Sequence, residues 1–265
     1  MNLAGKCAAD ASGLAVAESG NEPAANPRGF SSHQICRGAL AWDAAATGDN
    51  VIKAIFWDND GVLVDTERLY YRATRQVMAT AGVTLSQAQY VALFMVQGGD
   101  AWQLVAERGF GPAEIETLRA RRNALYSTML DGADLVIDGV RPVLDALHEQ
   151  YAMSIVTSCR ADHFARIHAA TDLLPYFRFV LTRGDYERSK PDPEPYLLAL
   201  ARSGCRADEC IVVEDSQRGL AAASAAGLRC IVVPNALTRG GDFAAACKIV
   251  DSVTAIPAQL DVLMR

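Results

Sequence analysis

Two aspartates separated by one residue, Asp58 and Asp60, follow directly on the apolar, β-branched run from Val51 to Trp57. A run of that kind reads as a buried parallel strand, and the carboxyl ends of such strands border the ligand crevice of open α/β sheets. In extended chain, residues two apart share a side, so Asp58 and Asp60 can address one small site while Asn59 faces away. Gly61 then permits a sharp turn beside them. A carboxylate can attack phosphorus and form an acyl phosphate, dividing a hard hydrolysis into two easier displacements. Asp58 is the candidate nucleophile, and Asp60 the candidate acid that protonates a leaving alkoxide and later deprotonates water.

Three later segments carry complementary chemistry. Ser154 to Ser158 is a short apolar strand ending in two hydroxyls; the Thr157 hydroxyl and the Ser158 amide can donate to phosphate oxygens, although a helix cap before Arg160 is an equally plain role for both. Ser189-Lys190-Pro191-Asp192-Pro193 holds a lysine beside two prolines, able to offset Asp58 and bind phosphate. The chain has 25 basic residues of which four are lysines, so arginine is its ordinary surface cation and Lys190 stands out. Ile211 to Ser216 is another apolar strand, ending in Glu214 and Asp215. Asp58, Asp60, Glu214 and Asp215 form the candidate metal set, hard oxygen ligands of the type Mg²⁺ prefers. Two like charges about 4 Å apart repel by roughly 4 kcal/mol at an effective dielectric near 20, so clustered acids call for a cation.

These four segments, in this order, resemble the haloacid dehalogenase-like superfamily, in particular its β-phosphoglucomutase and phosphoglycolate phosphatase-like members. The resemblance covers Val51 to about Leu263. It implies a doubly wound, Rossmann-like α/β core with a parallel sheet, made of residues 51–65 and 139–265, and an inserted α-helical cap over residues 66–138. It also implies an Mg²⁺-dependent phosphatase acting on a small phosphomonoester, a sugar phosphate or phosphoglycolate-like acid, with catalytic Asp58, Asp60, Thr157 and Lys190. Dehalogenases of the family lack the second acid, which Asp60 supplies here, and its phosphonatases need a cap lysine, whereas residues 67–138 contain none. A β-phosphoglucomutase-type enzyme is the alternative; counted without a gap, its cap histidine falls on Tyr70, and Gln97-Gly98-Gly99-Asp100 lacks the arginine expected after its glycine. A non-catalytic phosphate-binding protein is the third reading.

The elements that must position these residues alternate from Gly139 onward as helix and strand, which gives a parallel sheet. Strands are expected over 153–157, 179–182, 210–213 and 229–233, with a tail strand at 248–250, and helices over 140–150, 160–170, 193–203 and 219–226. Between Asp65 and Gly139 the pattern is helical: Leu69, Ala73, Val77 and Ala81 repeat at helical spacing, and Leu118, Leu125 and Met129 do so in part. Arg68, Arg72 and Arg75 share one early helix, where a solvated face is the plainer reading than a second anion site. Trp102 reads as core, and His163 and His168 as surface or packing residues.

Length and composition agree with an enzyme of this plan. At 265 residues and 51% hydrophobic, the chain can bury a substantial core, and a net charge of −6 argues against nucleic-acid or anionic-membrane surfaces. Seven cysteines with no Cys-x-x-Cys pair suit reduced thiols and a cytoplasmic setting. A monomer is expected. Residues 1–50 are rich in Ala, Gly, Asn and Ser without a clear period, and are expected to be a disordered extension or a mis-assigned start ahead of Val51.

Overall fold

The computed structural model describes residues 51–96 and 101–263; the expectations for residues 1–50 and for Gln97 to Asp100 lie outside the described residues. Six strands form one sheet: β1 (Ala54–Trp57), β2 (Ala152–Arg160), β3 (Val180–Arg183), β4 (Cys210–Glu214), β5 (Arg229–Val232) and β6 (Lys248–Ile249). Their order is β3-β2-β1-β4-β5-β6 and every pairing is parallel. The doubly wound core expected from the sequence is therefore present. β1 lies at the centre, paired on one side with β2 and on the other with β4, so the chain winds outward from it in both directions, and the crevice opens beyond the carboxyl ends of these strands.

Alternation along the strands builds two apolar layers. Ile55, Trp57, Met153, Ile155, Ile211 and Val213 face one side, where α5 (Val140–Leu147), α6 (Ala161–His168) and α9 (Ile256–Leu263) pack. Ala54, Phe56, Val156, Cys210, Val212 and Val232 face the other, against α7 (Glu194–Ser203) and α8 (Gln217–Ala225). The central residues Ile55, Phe56, Ile211, Val212 and Val213 are wholly buried, as a sheet covered on both faces requires.

The helices inserted after β1 are α1 (Glu67–Thr80), α2 (Gln87–Tyr90), which runs into a π-helical turn over Val91–Val96, then α3 (Gln103–Ala106) and α4 (Pro112–Leu130). Leu69, Ala73 and Val77 are buried on α1 as their spacing predicted. On α4 the buried stripe is Leu118, Arg122, Tyr126 and Leu130, one position away from the expected Leu125 and Met129. Tyr126 meets Tyr70 edge to face, with ring centroids 5.1 Å apart, and both rings border the cavity. The chain enters and leaves the cap side by side: Asp65 N–H donates to Leu135 C=O at 2.8 Å and Ile137 N–H to Leu63 C=O at 3.1 Å. A small cluster of Val64, Leu69, Tyr126, Leu135 and Ile167 seats the cap on the core. No helix among the described residues is long and apolar enough to cross a membrane.

Candidate active site

β1 delivers Asp58 to the floor of a cavity of 670 Å³ between sheet and cap, and the loop that follows delivers Asp60 to its wall. Gly61 makes the turn with φ +87°, and a side chain there would strike Asp215 Oδ2 at 2.4 Å, so glycine serves both backbone and packing. Asn59 is fully buried; its Oδ1 lies 2.8 Å from His168 Nε2 and its Nδ2 donates to Asp60 Oδ2 at 3.3 Å. Asp58 and Asp60 thus border the cavity and Asn59 does not.

Lys190, in the loop after β3, is 4% exposed and reaches back under the sheet ends. Its ammonium donates to Asp58 Oδ1 at 2.6 Å, Glu214 Oε1 at 2.7 Å and the Val156 carbonyl at 2.8 Å. β4 ends on Glu214, and Asp215 follows it. Ligand atoms of Asp58, Glu214 and Asp215 lie within 4.8 Å of one another, all buried. This group of hard oxygens fits a small divalent cation. Asp60, expected in the same metal set, stands apart from it. Its side chain lies beyond the end of β1, where Oδ1 accepts from the Thr66 hydroxyl and Oδ2 from the Thr157 hydroxyl at 3.0 Å.

The profile of the haloacid dehalogenase-like hydrolase family matches residues 55–233, the span that carries all of these side chains. The chain belongs to this family. It is 31% identical over 207 residues to protein CbbY of Rhodobacter capsulatus, covering 74% of this chain and 91% of the relative. It is 27% identical over 186 residues to the fructose-1-phosphate phosphatase YqaB of Escherichia coli, covering 68% and 95%. Among solved structures, CbbY of Rhodobacter sphaeroides in complex with phosphate superposes with a TM-score of 0.68 at 25% identity, covering 80% of this chain and all of that one (100%).

Electrostatics in this haloacid dehalogenase-like site is a contest between burial and two cations, Lys190 in direct contact and Arg218 beside it. Burial, then the charge of Glu214, pushes Asp58 up to about 7 despite the opposing pull of Lys190. Burial and the neighbouring Glu214 and Asp58 hold Asp215 well above its ordinary range. Glu214 is also pushed up by burial, but Lys190 and the Tyr196 hydroxyl outweigh it and keep its carboxyl below the usual value. Lys190 itself is held above its ordinary value, because Asp58 and Glu214 outweigh its desolvation. Arg218, also bordering the cavity, adds a second positive charge that pulls on Glu214 and Asp215, yet burial still holds Asp58 and Asp215 above their ordinary range.

Thr157 and Ser158 line the cavity. Neither caps α6, whose N-cap is Arg160; the Thr157 hydroxyl donates to Asp60 and accepts from Cys159 N–H at 3.0 Å. β2 runs on to Arg160, and its register against β3 is irregular between Val156 and Arg160, where the site residues sit. Several partners were not legible beforehand. Thr66 occupies the N-cap position of α1 without capping it, and serves Asp60 instead. Tyr196 OH donates to Glu214 Oε1 at 2.7 Å and Asn235 Nδ2 to Asp215 Oδ2 at 2.7 Å. Ser216 Oγ donates to Glu214 Oε2 at 3.2 Å, and Gly219 leaves room for that carboxylate, whose Cδ would lie 1.9 Å from an added side chain. Trp102 is 2% exposed, as a core residue should be, yet it also borders the cavity. Arg68, Arg72 and Arg75 are exposed and outside it.

Proposed function

We propose that this phosphomonoester hydrolase cleaves a small sugar phosphate or phosphorylated acid in two displacements, with Asp58 as nucleophile and Mg²⁺ at Asp58, Glu214 and Asp215. The observation that carries the reading is the buried Lys190, bonded at once to Asp58 and Glu214, at the floor of a cavity that Asp60 also borders. In the first displacement an Asp58 oxygen attacks phosphorus, the ester P–O bond breaks, and Asp60 gives its proton to the leaving alkoxide. In the second, Asp60 takes a proton from water, which attacks phosphorus, releases phosphate and restores the Asp58 carboxylate. The Thr66 and Thr157 hydroxyls fix the Asp60 side chain for both transfers. The Thr157 to Ser158 segment and Lys190 orient the phosphoryl oxygens and offset their charge. A cation held by Asp58, Glu214 and Asp215 would supply positive charge that favours the ionised Asp58 and offsets the charge of the phosphoryl oxygens.

The E. coli relative, a fructose-1-phosphate phosphatase, supports a sugar phosphate as the substrate class. Tyr70 supports hydrolysis over the mutase alternative. It falls where a mutase-type histidine would by a count without a gap, and burial raises its pKa, so it offers no base near neutrality. The test is phosphate release from a panel of phosphomonoesters, with Mg²⁺ or chelator, for the wild type beside Asp58→Asn. Metal-dependent release abolished by the substitution is expected. Release that survives Asp58→Asn, or isomerisation of a sugar phosphate without release, would overturn the proposal.

A further inference from the structure

Arg122 is 6% exposed, in the middle of α4, and its side chain borders the same cavity as Asp58. Arginine is almost never so deeply buried without a carboxylate. Here its Nε donates to Asn123 Oδ1 at 2.9 Å and one terminal nitrogen to Thr74 Oγ1 at 3.3 Å, while the guanidinium lies over the Tyr70 ring at 4.2 Å. Two of its five N–H donors are thus committed, both to neutral groups, and among the described residues no carboxylate pairs with it. The stack on Tyr70 fixes the plane of the fork, which is the preorganisation that bidentate binding of an oxyanion needs.

The surroundings have the same sign. Arg119, one turn earlier on α4, and Arg183, at the end of β3, also border the cavity. Burial, and then the charges of Arg122 and Arg183, lower the pKa of Arg119, as like charges gathered at one cavity do; Glu116 approaches Arg119 at 4.0 Å. The acids of the phosphoryl site and this basic wall face one cavity of 670 Å³, room for a small metabolite rather than a phosphate alone.

We infer that Arg122 determines substrate specificity by receiving a second oxyanion, a phosphate or a carboxylate, at the end of the substrate remote from the phosphoryl group that meets Asp58. The inference rests on the proposed phosphatase reading and narrows its substrate class to doubly anionic molecules. A structural role, holding α4 against α1, would affect all substrates alike; a specificity role would not.

Two substrate pairs separate the two oxyanions: fructose 1,6-bisphosphate against fructose 1-phosphate, and 2-phosphoglycolate against ethyl phosphate. In at least one pair the wild type should favour the doubly anionic member by tenfold or more in kcat/KM. Arg122→Gln should remove that preference by lowering kcat/KM for the doubly anionic member alone, and Arg122→Lys should retain part of it. Equal loss on both members of each pair, or no wild-type preference in either pair, would overturn the inference. Calorimetric binding of the doubly anionic compounds to Asp58→Asn, with and without Arg122→Gln, decides the matter even without turnover. A tenfold weaker binding in the double variant sustains the role of Arg122, and unchanged or absent binding defeats it. Failure of the phosphatase reading shows separately, as no phosphate release from any of the four compounds.

Discussion

Replacing Lys190 by methionine tests the charge balance on which the site depends. Lys190 Nζ touches Asp58 and Glu214 at 2.6 and 2.7 Å with both partners buried, and Asp215 lies in the same group. Removing one partner of a buried ion pair costs about 3–5 kcal/mol, because the charge left behind has neither water nor counter-ion. For a protein of this size that is a fall in Tm of roughly 6–20 °C. The cost depends on pH in a defined direction. Asp58 has a folded pKa near 7 against 3.8 for the free group, so the folded state binds more protons between those values. Its contribution is complete below pH 3.8 and is lost as pH rises through about 7. Without the lysine the acids rely further on protons, so the variant should lose most at pH 8 and least at pH 5. Urea denaturation of both proteins at the two pH values, in chelator and in Mg²⁺, measures this. Mg²⁺ should stabilise the variant more than the wild type, and Lys190→Met/Glu214→Gln should recover part of the loss. A cost at pH 8 below about 1 kcal/mol, or one equal at both pH values, would refute the idea that Lys190 offsets buried charge.

Three further outcomes are expected. Gly219→Ala places a methyl 1.9 Å from Glu214 Cδ and should cost about 1–3 kcal/mol together with most of the activity, whereas Gly227→Ala, with nothing within 4 Å but φ +74°, should cost about 1 kcal/mol and leave kcat intact. Parallel melting curves and phosphate-release rates check both. Thr66→Val removes a hydroxyl from Asp60 and should lower kcat about tenfold with KM little changed, a loss of about 1.4 kcal/mol that steady-state kinetics would register. His168, whose burial depresses its pKa from 6.5 to about 4, is neutral in the fold and protonates more readily unfolded, so stability should fall as pH drops from 6.5 towards 4, by about 3 kcal/mol in all. Against His168→Gln, the wild type should show the steeper loss across that window; equal slopes would count against a buried neutral histidine.

The legible parts of the site share a cause. Asp58, Thr157 and Glu214 end or punctuate strands whose apolar runs are plain in the sequence, and a parallel sheet brings such ends to one edge whatever the order of the strands. Lys190 was legible by contrast with a chain that otherwise uses arginine. What stayed hidden was set by tertiary approach. Asn235 looks like a turn residue and Tyr196 like one more apolar position on α7, and each acquires its role from a partner about twenty residues away; Thr66 looks like a helix cap and is turned to Asp60 by the loop between them. Asp60 shows the limit of spacing arguments. Its side was given by the alternation with Asp58, but the separation of its side chain from the Asp58, Glu214 and Asp215 cluster comes from the turn at Gly61 and the Thr66 hydroxyl.

The arginines show why the cap was harder to read than the core. Arg68, Arg72 and Arg75 drew notice as a helical series, and the structure leaves them exposed. Arg122 belongs to no series, and a polar residue at a buried position breaks the very periodicity by which a helix face is recognised, so α4 read as a stripe of Leu118, Leu125 and Met129. The true stripe passes through Arg122 and Tyr126 because the cap's inner face borders a polar cavity rather than a dry core. Departure from amphipathic pattern on a cap helix is therefore itself a signal: positions where a charged residue interrupts an otherwise buried face point towards the substrate, and Arg122 is the one that the cavity here selects.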